Sequence, residues 1–171
     1  MNKCIFLDRD GVLNVERGDY TFLPKDFIIS DGVPAALKKI KKAGYLAVVV
    51  TNQAGISQGL FTRKQMQVCH DILVERTGHL IDKIYYSPYH PSFSESLTRK
   101  PETLMLEKAI AKFDIDPSLS WLIGDRARDI ECGQRMGLKT VLITENQLHR
   151  CNPDFVAENL IEAIDKYVLQ P

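Results

Sequence analysis

Short, continuous apolar segments alternate along the chain with longer segments in which apolar residues recur every three or four positions. The segments at residues 3–8 (KCIFLD) and 46–50 (LAVVV) are of the first kind, which is typical of strands covered on both faces of a sheet. Further runs of this kind lie at residues 83–87, 121–124 and 140–144. The pattern therefore predicts five β-strands.

The segments between these runs have the spacing of amphipathic helices. Thr62 precedes one of them as an N-cap, and Gly44 ends another as a C-cap. The predicted helices cover residues 33–43, 63–76, 103–113, 127–136 and 155–168. Because alternating strands and helices are joined by right-handed crossovers, we predict an α/β fold with three α/β/α layers around a mainly parallel sheet. Residues 1–171 are expected to form one domain.

The charge balance disfavours several classes of partner. The 171 residues include 22 lysines and arginines and 22 aspartates and glutamates, so no net charge attracts nucleic acid or an anionic membrane. No apolar run approaches the roughly 20 residues that span a bilayer, and the first apolar segment is too short for a signal peptide. The four cysteines contain no CxxC pair. We expect a cytoplasmic monomer that binds neither nucleic acid nor membrane.

Polar residues lie at or after the ends of the predicted strands. Asp8 and Asp10 end and follow the first strand, Thr51 follows the second and Asp125 the fourth, while Lys100 closes the loop after the third. In open α/β sheets, ligands bind beyond the carboxyl ends of the strands. We therefore expect these side chains to meet in one crevice.

The residue types in this crevice indicate phosphoryl chemistry. Three carboxylates repel one another unless a cation lies between them, and oxygen ligands in an incomplete protein cage suit Mg²⁺. Lys100 adds a positive charge, and Thr51 can donate its hydroxyl to a phosphoryl oxygen. One carboxylate could attack phosphorus to form an aspartyl-phosphate, while another could protonate the leaving oxygen and later activate water. This set predicts a Mg²⁺-dependent phosphomonoester hydrolase.

The motifs resemble those of the haloacid dehalogenase (HAD) superfamily of phosphatases. DRDG after the first strand, Thr51, Lys100 and GDRARD after the fourth strand occur in the order of the four superfamily motifs. FLDRDGVLN, VVVTNQAGISQGLFT, IYYSPYHP and RKP are further similar to the branch that contains heptose bisphosphate phosphatases and histidinol-phosphate phosphatases. The similarity covers roughly residues 3–145 and implies a Rossmann-like fold without a large cap domain.

The resemblance implies a role for each motif residue. Asp8 would be the nucleophile and Asp10 the general acid and base. Asp8, the Asp10 carbonyl and Asp125 would bind Mg²⁺. Thr51 and Lys100 would hold the transferring phosphoryl group.

Other positions are implied to act around that centre. Asp129 would support Lys100 or a water bound to the metal. The residues that would contact the substrate or its second phosphate are Asn52, Gln53, Arg99 and Arg126.

The chain departs from this branch in the loop before Lys100. Many members carry zinc ligands there, as CxH after the third strand and CxC before RKP. This chain has Ser87, Tyr89, Ser96 and Thr98 at those places. Because hydroxyl groups are poor zinc ligands, we expect no structural zinc and a differently folded loop beside the active site.

The resemblance favours a small phosphorylated metabolite as substrate, namely a heptose bisphosphate used in nucleotide-activated heptose and lipopolysaccharide synthesis. A histidinol-phosphate or other sugar-phosphate phosphatase is an alternative, in which Glu16, Asp19 or Tyr20 could contact an imidazole. A phospho-acceptor signalling domain is the non-enzymatic alternative. Receiver domains accept the phosphoryl group after their third strand, however, whereas DRDG follows the first strand here.

Overall fold

Six parallel strands form one sheet with helices on both faces in a computed structural model that describes residues 1–144 and 151–170. The strands are β1 (Cys4–Leu7), β2 (Leu46–Asn52), β3 (Lys83–Ser87), β4 (Trp121–Gly124), β5 (Lys139–Ile143) and β6 (Phe155–Ala157). The helices are α1 (Val33–Lys42), α2 (Arg63–Arg76), α3 (Leu104–Phe113), α4 (Ala127–Arg135) and α5 (Leu160–Ala163). The strand order is β3-β2-β1-β4-β5-β6, so β1 lies inside the sheet. The predicted α/β fold is confirmed.

Side chains that alternate along the strands form two separate cores. Ile5 and Leu7 of β1 pack in the core that includes residues of α1, α2 and α5. Cys4 and Phe6 point to the opposite face and pack in the core that includes residues of α3 and α4. All four side chains are fully buried, which explains why the strand has no polar position between Cys4 and Leu7.

Local signals place the helix ends where the pattern predicts them. The Thr62 hydroxyl accepts a hydrogen bond from the Gln65 amide (3.2 Å), and the Gln65 side chain accepts one from the Thr62 amide (2.9 Å). This reciprocal capping box starts α2. Gly44 follows the end of α1 with φ +78°, a left-handed conformation that favours glycine.

The predicted helix over residues 155–168 is wrong in its first part. Phe155–Ala157 forms β6, which pairs in parallel with β5. Asn159 then caps α5 by accepting a hydrogen bond from the Glu162 amide (3.0 Å), and a wider π-helical segment, Ile164–Val168, continues it. A strand of three residues is too short to show an alternating pattern, so pairing with β5 decides its conformation.

Two further observations concern the character of the helices and the state of the cysteine thiols. No helix among the described residues has the length and apolar character needed to cross a membrane. Cys4, Cys69 and Cys132 are buried free thiols, and burial raises the pKa of each.

Candidate active site

The central position of β1 brings carboxylates of the DRDG motif and of the GDRARD motif together. Leu7 is level with Val49 on β2 and with Ile123 on β4, so the residues that follow share one edge of the sheet. Asp8, Asp125 and Asp129 each place a carboxylate oxygen within 4.8 Å of the other two. This cluster lies at the carboxyl ends of the strands, as the sequence predicts, but its third carboxylate is that of Asp129 and not the expected one of Asp10.

Two glycines allow this close approach. Gly11 has φ +82°, and a Cβ there would lie 2.4 Å from Oδ2 of Asp125. A Cβ on Gly124 would lie 2.3 Å from Cβ of Asp129. A larger residue at either place would displace a member of the carboxylate cluster.

Lys100 is buried between two of these carboxylates. Its Nζ lies 2.7 Å from Oδ1 of Asp129 and 3.0 Å from Oδ1 of Asp8, and its side chain has no exposed surface. Burial by itself would lower the Lys100 pKa, but the charges of Asp129 and Asp8 and their hydrogen bonds raise it above its usual value. Lys100 therefore stays protonated and orients Asp8.

The carboxylate cluster has the electrostatic properties of a cation site. Burial, followed by the charges of Asp129 and Asp10, raises the pKa of Asp8 to about 6 despite the opposing charge of Lys100. Burial and the charges of Asp8 and Asp129 raise the pKa of Asp125 to about 7. A divalent cation would offset this repulsion, and a set of carboxylate oxygens suits a hard cation. The residues present therefore fit a metal ion.

The Asp10 carboxylate is not a member of this cluster, and four hydrogen bonds from described residues hold it. Its Oδ1 accepts from Nη2 (2.8 Å) and Nε (3.2 Å) of Arg9 and from Nδ2 of Asn14 (3.0 Å). Its Oδ2 accepts from Nε2 of Gln53 (3.0 Å). Asp10 also lines an open cavity, and the metal contact of its backbone carbonyl remains a prediction.

The polar side chains at the end of β2 form hydrogen bonds within the protein. Strand β2 extends through Asn52, so Thr51 and Asn52 belong to the strand instead of following it. Asn52 accepts from the Lys100 amide and donates to the Lys100 carbonyl, both at 3.1 Å. Gln53 is 1% exposed, and its Nε2 also donates to Oγ1 of Thr51 (3.0 Å). The predicted contacts of Asn52 and Gln53 with substrate remain predictions, although their amides are already engaged in this way.

A cavity of about 240 Å³ opens beside Asp10. Residues 16–21 of the loop after β1 contribute most of its wall, including Glu16, Asp19 and Tyr20. Arg126 also lines it, with its Nε 3.1 Å from Oδ2 of Asp125 and its Nη2 3.3 Å from Oε2 of Glu16. The cavity is thus polar and carries charges of both signs.

Two other arginines, Arg99 and Arg128, line different cavities. Arg99 lines a neighbouring cavity of about 510 Å³, and its Nη1 donates to the Tyr89 carbonyl (3.2 Å). Arg128, which the sequence analysis passed over, lines the Asp10 cavity. Burial and then the charge of Arg128 lower the pKa of Arg99, so the two guanidinium groups influence each other. The repeated arginine in GDRARD was the available signal for Arg128.

Arg9 is the second residue that sequence analysis missed. An arginine between two aspartates in a turn has the pattern of an exposed charge, but Arg9 is 0% exposed. Its Nη2 also donates to the Thr21 carbonyl (2.9 Å), and its guanidinium carbon lies 5.4 Å from the centroid of the Phe27 ring. No local pattern reveals this burial, because Thr21 and Phe27 belong to the loop that folds back over the strand end.

The loop that was predicted to lack zinc is closed by hydroxyl groups. Oγ1 of Thr98 donates to Oγ of Ser87 (2.9 Å) and lies 2.8 Å from Oγ of Ser96. These are three of the four positions where the zinc ligands of the resembling branch would stand. Hydrogen bonds therefore join the two ends of the loop, and the absence of zinc remains a prediction.

Comparison with known proteins agrees with this site. The HAD-hydrolase-like family model matches residues 97–163. A D-glycero-D-manno-heptose-1,7-bisphosphate 7-phosphatase of Chlorobaculum tepidum is 38% identical over 98% of this chain and 94% of its own length. A D-glycero-beta-D-manno-heptose-1,7-bisphosphate 7-phosphatase of Haemophilus influenzae is 39% identical over 99% of this chain and 92% of its own length. The chain belongs to this family of HAD-type phosphatases.

Solved structures support the membership and the fold. One of them is the D,D-heptose 1,7-bisphosphate phosphatase of B. bronchiseptica, complexed with magnesium and phosphate. Its TM-score is 0.84 at 25% identity, and the match covers 95% of this chain and 96% of that protein.

A further sequence relative, from Burkholderia mallei, is named for the alpha anomer of the bisphosphate. It is 37% identical over 83% of this chain and 79% of its own length. As a member of this family, the chain is a phosphoric monoester hydrolase.

Proposed function

We propose that this phosphatase removes the 7-phosphate of D-glycero-D-manno-heptose 1,7-bisphosphate and leaves the 1-phosphate in place. The observation that carries the proposal is the meeting of buried Asp8, Lys100 and the Asp125–Asp129 carboxylates next to a cavity lined by Asp10. The names of relatives that align over almost the whole chain support the substrate. We further propose a single-domain, cytoplasmic monomer over residues 1–171 that requires no nucleic acid or membrane.

The proposed reaction has two steps on Asp8. The Asp8 carboxylate attacks phosphorus, the bond from phosphorus to the sugar oxygen breaks, and Asp10 donates a proton to that oxygen. Asp10 then takes a proton from water, whose oxygen attacks the phosphoaspartate and releases phosphate and the Asp8 carboxylate. Lys100 and Thr51 hold phosphoryl oxygens during both steps.

We propose Mg²⁺ as the ion bound by Asp8, the Asp10 carbonyl and Asp125. Bound there, it would neutralise negative charge on the transferring phosphoryl group. Asp129 then acts through Lys100, with which it makes the shorter of the two ion contacts.

The retained phosphate requires a second cationic contact. Arg126 and Arg128 line the cavity, and Arg99 lies beside it. Arg126 offers a planar guanidinium that is half exposed and bound to Glu16 in an exposed ion pair, a weak contact that a phosphate can replace. We propose these arginines as the anchor of the 1-phosphate.

Phosphate release from a substrate panel tests this assignment. With Mg²⁺, we expect release of one phosphate from either anomer of the heptose bisphosphate, and slower release from heptose and hexose monophosphates. Histidinol phosphate belongs in the panel because Glu16, Asp19 and Tyr20 line the cavity and could contact an imidazole. Preference for histidinol phosphate, or equal rates on bisphosphates and monophosphates, would contradict the proposed substrate while leaving the phosphatase chemistry intact.

The proposed metal site predicts that Mg²⁺ stabilises the protein more at high pH than at low pH. The pKa values of Asp8 and Asp125 are raised to about 6 and about 7, so without metal the folded chain binds more protons than the unfolded chain in this range. Its stability therefore falls as the pH rises from about 4 through about 7. We expect MgCl₂ to raise the unfolding temperature by about 5 °C or more near pH 8 and by little near pH 5.

Thermal unfolding with MgCl₂ or EDTA at the two pH values measures this difference. Asp125→Asn removes one of the proposed ligands and is expected to abolish most of the Mg²⁺ effect. Asp71→Asn, on the exposed face of α2, is the matched control and should respond as the wild type does. Equal Mg²⁺ effects at both pH values would contradict the site.

A further inference from the structure

We propose that Gln53 is a positioning residue that aims two reacting groups, the Asp10 carboxyl and the Thr51 hydroxyl, at the phosphoryl group. The proposal rests on the proposed function of the site and concerns a side chain that the sequence analysis assigned to substrate contact. Gln53 is 1% exposed and does not line the Asp10 cavity. Its amide nitrogen lies 3.0 Å from Oδ2 of Asp10 and 3.0 Å from Oγ1 of Thr51.

A glutamine amide nitrogen suits this place because it carries two hydrogens. The nitrogen of the Gln53 amide, and not its oxygen, faces Asp10 and donates to Oδ2. Its second hydrogen is then available to Oγ1 of Thr51. One buried amide therefore joins Asp10 of the first motif to Thr51 of the second motif. Gln53 lies 43 positions after Asp10 and 2 positions after Thr51.

The donors around Asp10 determine which of its oxygens can carry the proton. Oδ1 accepts three N–H groups, two from Arg9 and one from Asn14, and these occupy its lone pairs. Among the described residues, Gln53 alone donates to Oδ2, and a carboxylate oxygen can accept a second hydrogen bond. Oδ2 is therefore the Asp10 oxygen that can face the leaving sugar oxygen, and the Gln53 contact orients it.

The same amide directs the Thr51 hydroxyl. Because Oγ1 of Thr51 accepts from Gln53, its own hydrogen is not needed for that contact. The hydroxyl is thus free to donate to a phosphoryl oxygen, as the proposed reaction requires. Gln53 acts on the reaction through both residues and contacts neither the phosphate nor the sugar.

Leaving-group dependence tests this positioning role. The heptose 7-phosphate releases a primary alcohol and needs a proton from Asp10, whereas 4-nitrophenyl phosphate releases a stable phenolate and does not. The value of kcat/KM covers the steps up to departure of this group. For Gln53→Met we expect kcat/KM to fall by about 100-fold on the heptose bisphosphate and by about 10-fold or less on 4-nitrophenyl phosphate.

Gln53→Glu is the second variant, since it keeps the shape and removes the donor that faces Asp10. We expect it to show the same selective loss, and inhibition by inorganic phosphate to stay within about threefold of the wild type for both variants. Gln67→Met, which removes an exposed amide on α2, is the matched control. Unfolding temperatures establish that each variant is folded.

The outcomes separate this inference from the function on which it rests. Equal losses on both substrates in folded variants overturn the positioning role. A loss confined to KM and to phosphate inhibition also overturns it and supports a direct substrate contact instead. Failure of the wild type to hydrolyse either ester would overturn the proposed function itself.

Discussion

Lys100→Met is expected to lower the free energy of unfolding by about 3–5 kcal/mol near neutral pH. The substitution keeps an unbranched side chain, one atom shorter, but leaves Asp8 and Asp129 without the positive charge that lies between them. Both carboxylates are almost fully buried, so water cannot replace Lys100. Urea denaturation of both proteins in EDTA measures the difference.

Two further variants show whether the loss arises from unpaired charge. Lys108→Met, on the exposed side of α3, should change the free energy of unfolding by less than about 0.5 kcal/mol. Combining Lys100→Met with Asp129→Asn removes one of the unpaired charges and should restore part of the stability. A loss below about 1 kcal/mol for Lys100→Met would show that the contacts behave as an exposed ion pair.

Asp8→Asn is expected to reduce kcat for phosphate release by about 10⁴-fold or more, since it removes the proposed nucleophile. The side chain keeps its size, and Asp129 still neutralises Lys100. The substitution also removes a buried carboxyl whose pKa is raised to about 6, so the unfolding temperature near pH 8 should not fall. Steady-state phosphate release and thermal unfolding measure the two effects.

Asp31→Asn provides the matched control, because Asp31 is exposed and outside the site. It should retain the kcat of the wild type. A second check is detection of the covalent intermediate. Wild-type enzyme that is quenched rapidly should carry acid-stable or borohydride-sensitive phosphate on Asp8. The Asp8→Asn variant should carry none. Retention of more than a tenth of the wild-type kcat by Asp8→Asn would exclude Asp8 as the nucleophile.

The sequence predicted those elements that local patterns define. Strands β3 and β4 occur at the predicted residues, and the capping box at Thr62 starts α2 where expected. In each case the signal lies within a few neighbouring residues, as an apolar run or a cap. Strand β6 lacked such a signal because it has three residues and depends on pairing with β5.

The site residues show the same division. The spacing of DRDG and GDRARD and the alternation of elements placed Asp8 and Asp125 at one sheet edge, and the structure finds them there. The burial of Arg9 and Gln53 was not predictable, because partners far along the chain determine it. Asn52 contacts the backbone of Lys100, which lies 48 positions away along the chain, and no pattern among neighbouring residues predicts this contact.

Local patterns in the sequence thus predicted the α/β fold and the meeting of Asp8 and Asp125 at the carboxyl ends of the strands, but not the place of Asp129 in their carboxylate cluster. Periodicity and strand ends are properties of neighbouring residues, and parallel strands bring their ends to one edge. Which side chains face the cavity, and which ones hold others in place, depends on contacts that form on folding. Hydrogen bonds and ion pairs such as those of Gln53 and Lys100 join segments that meet only after folding, and burial determines how strongly they act.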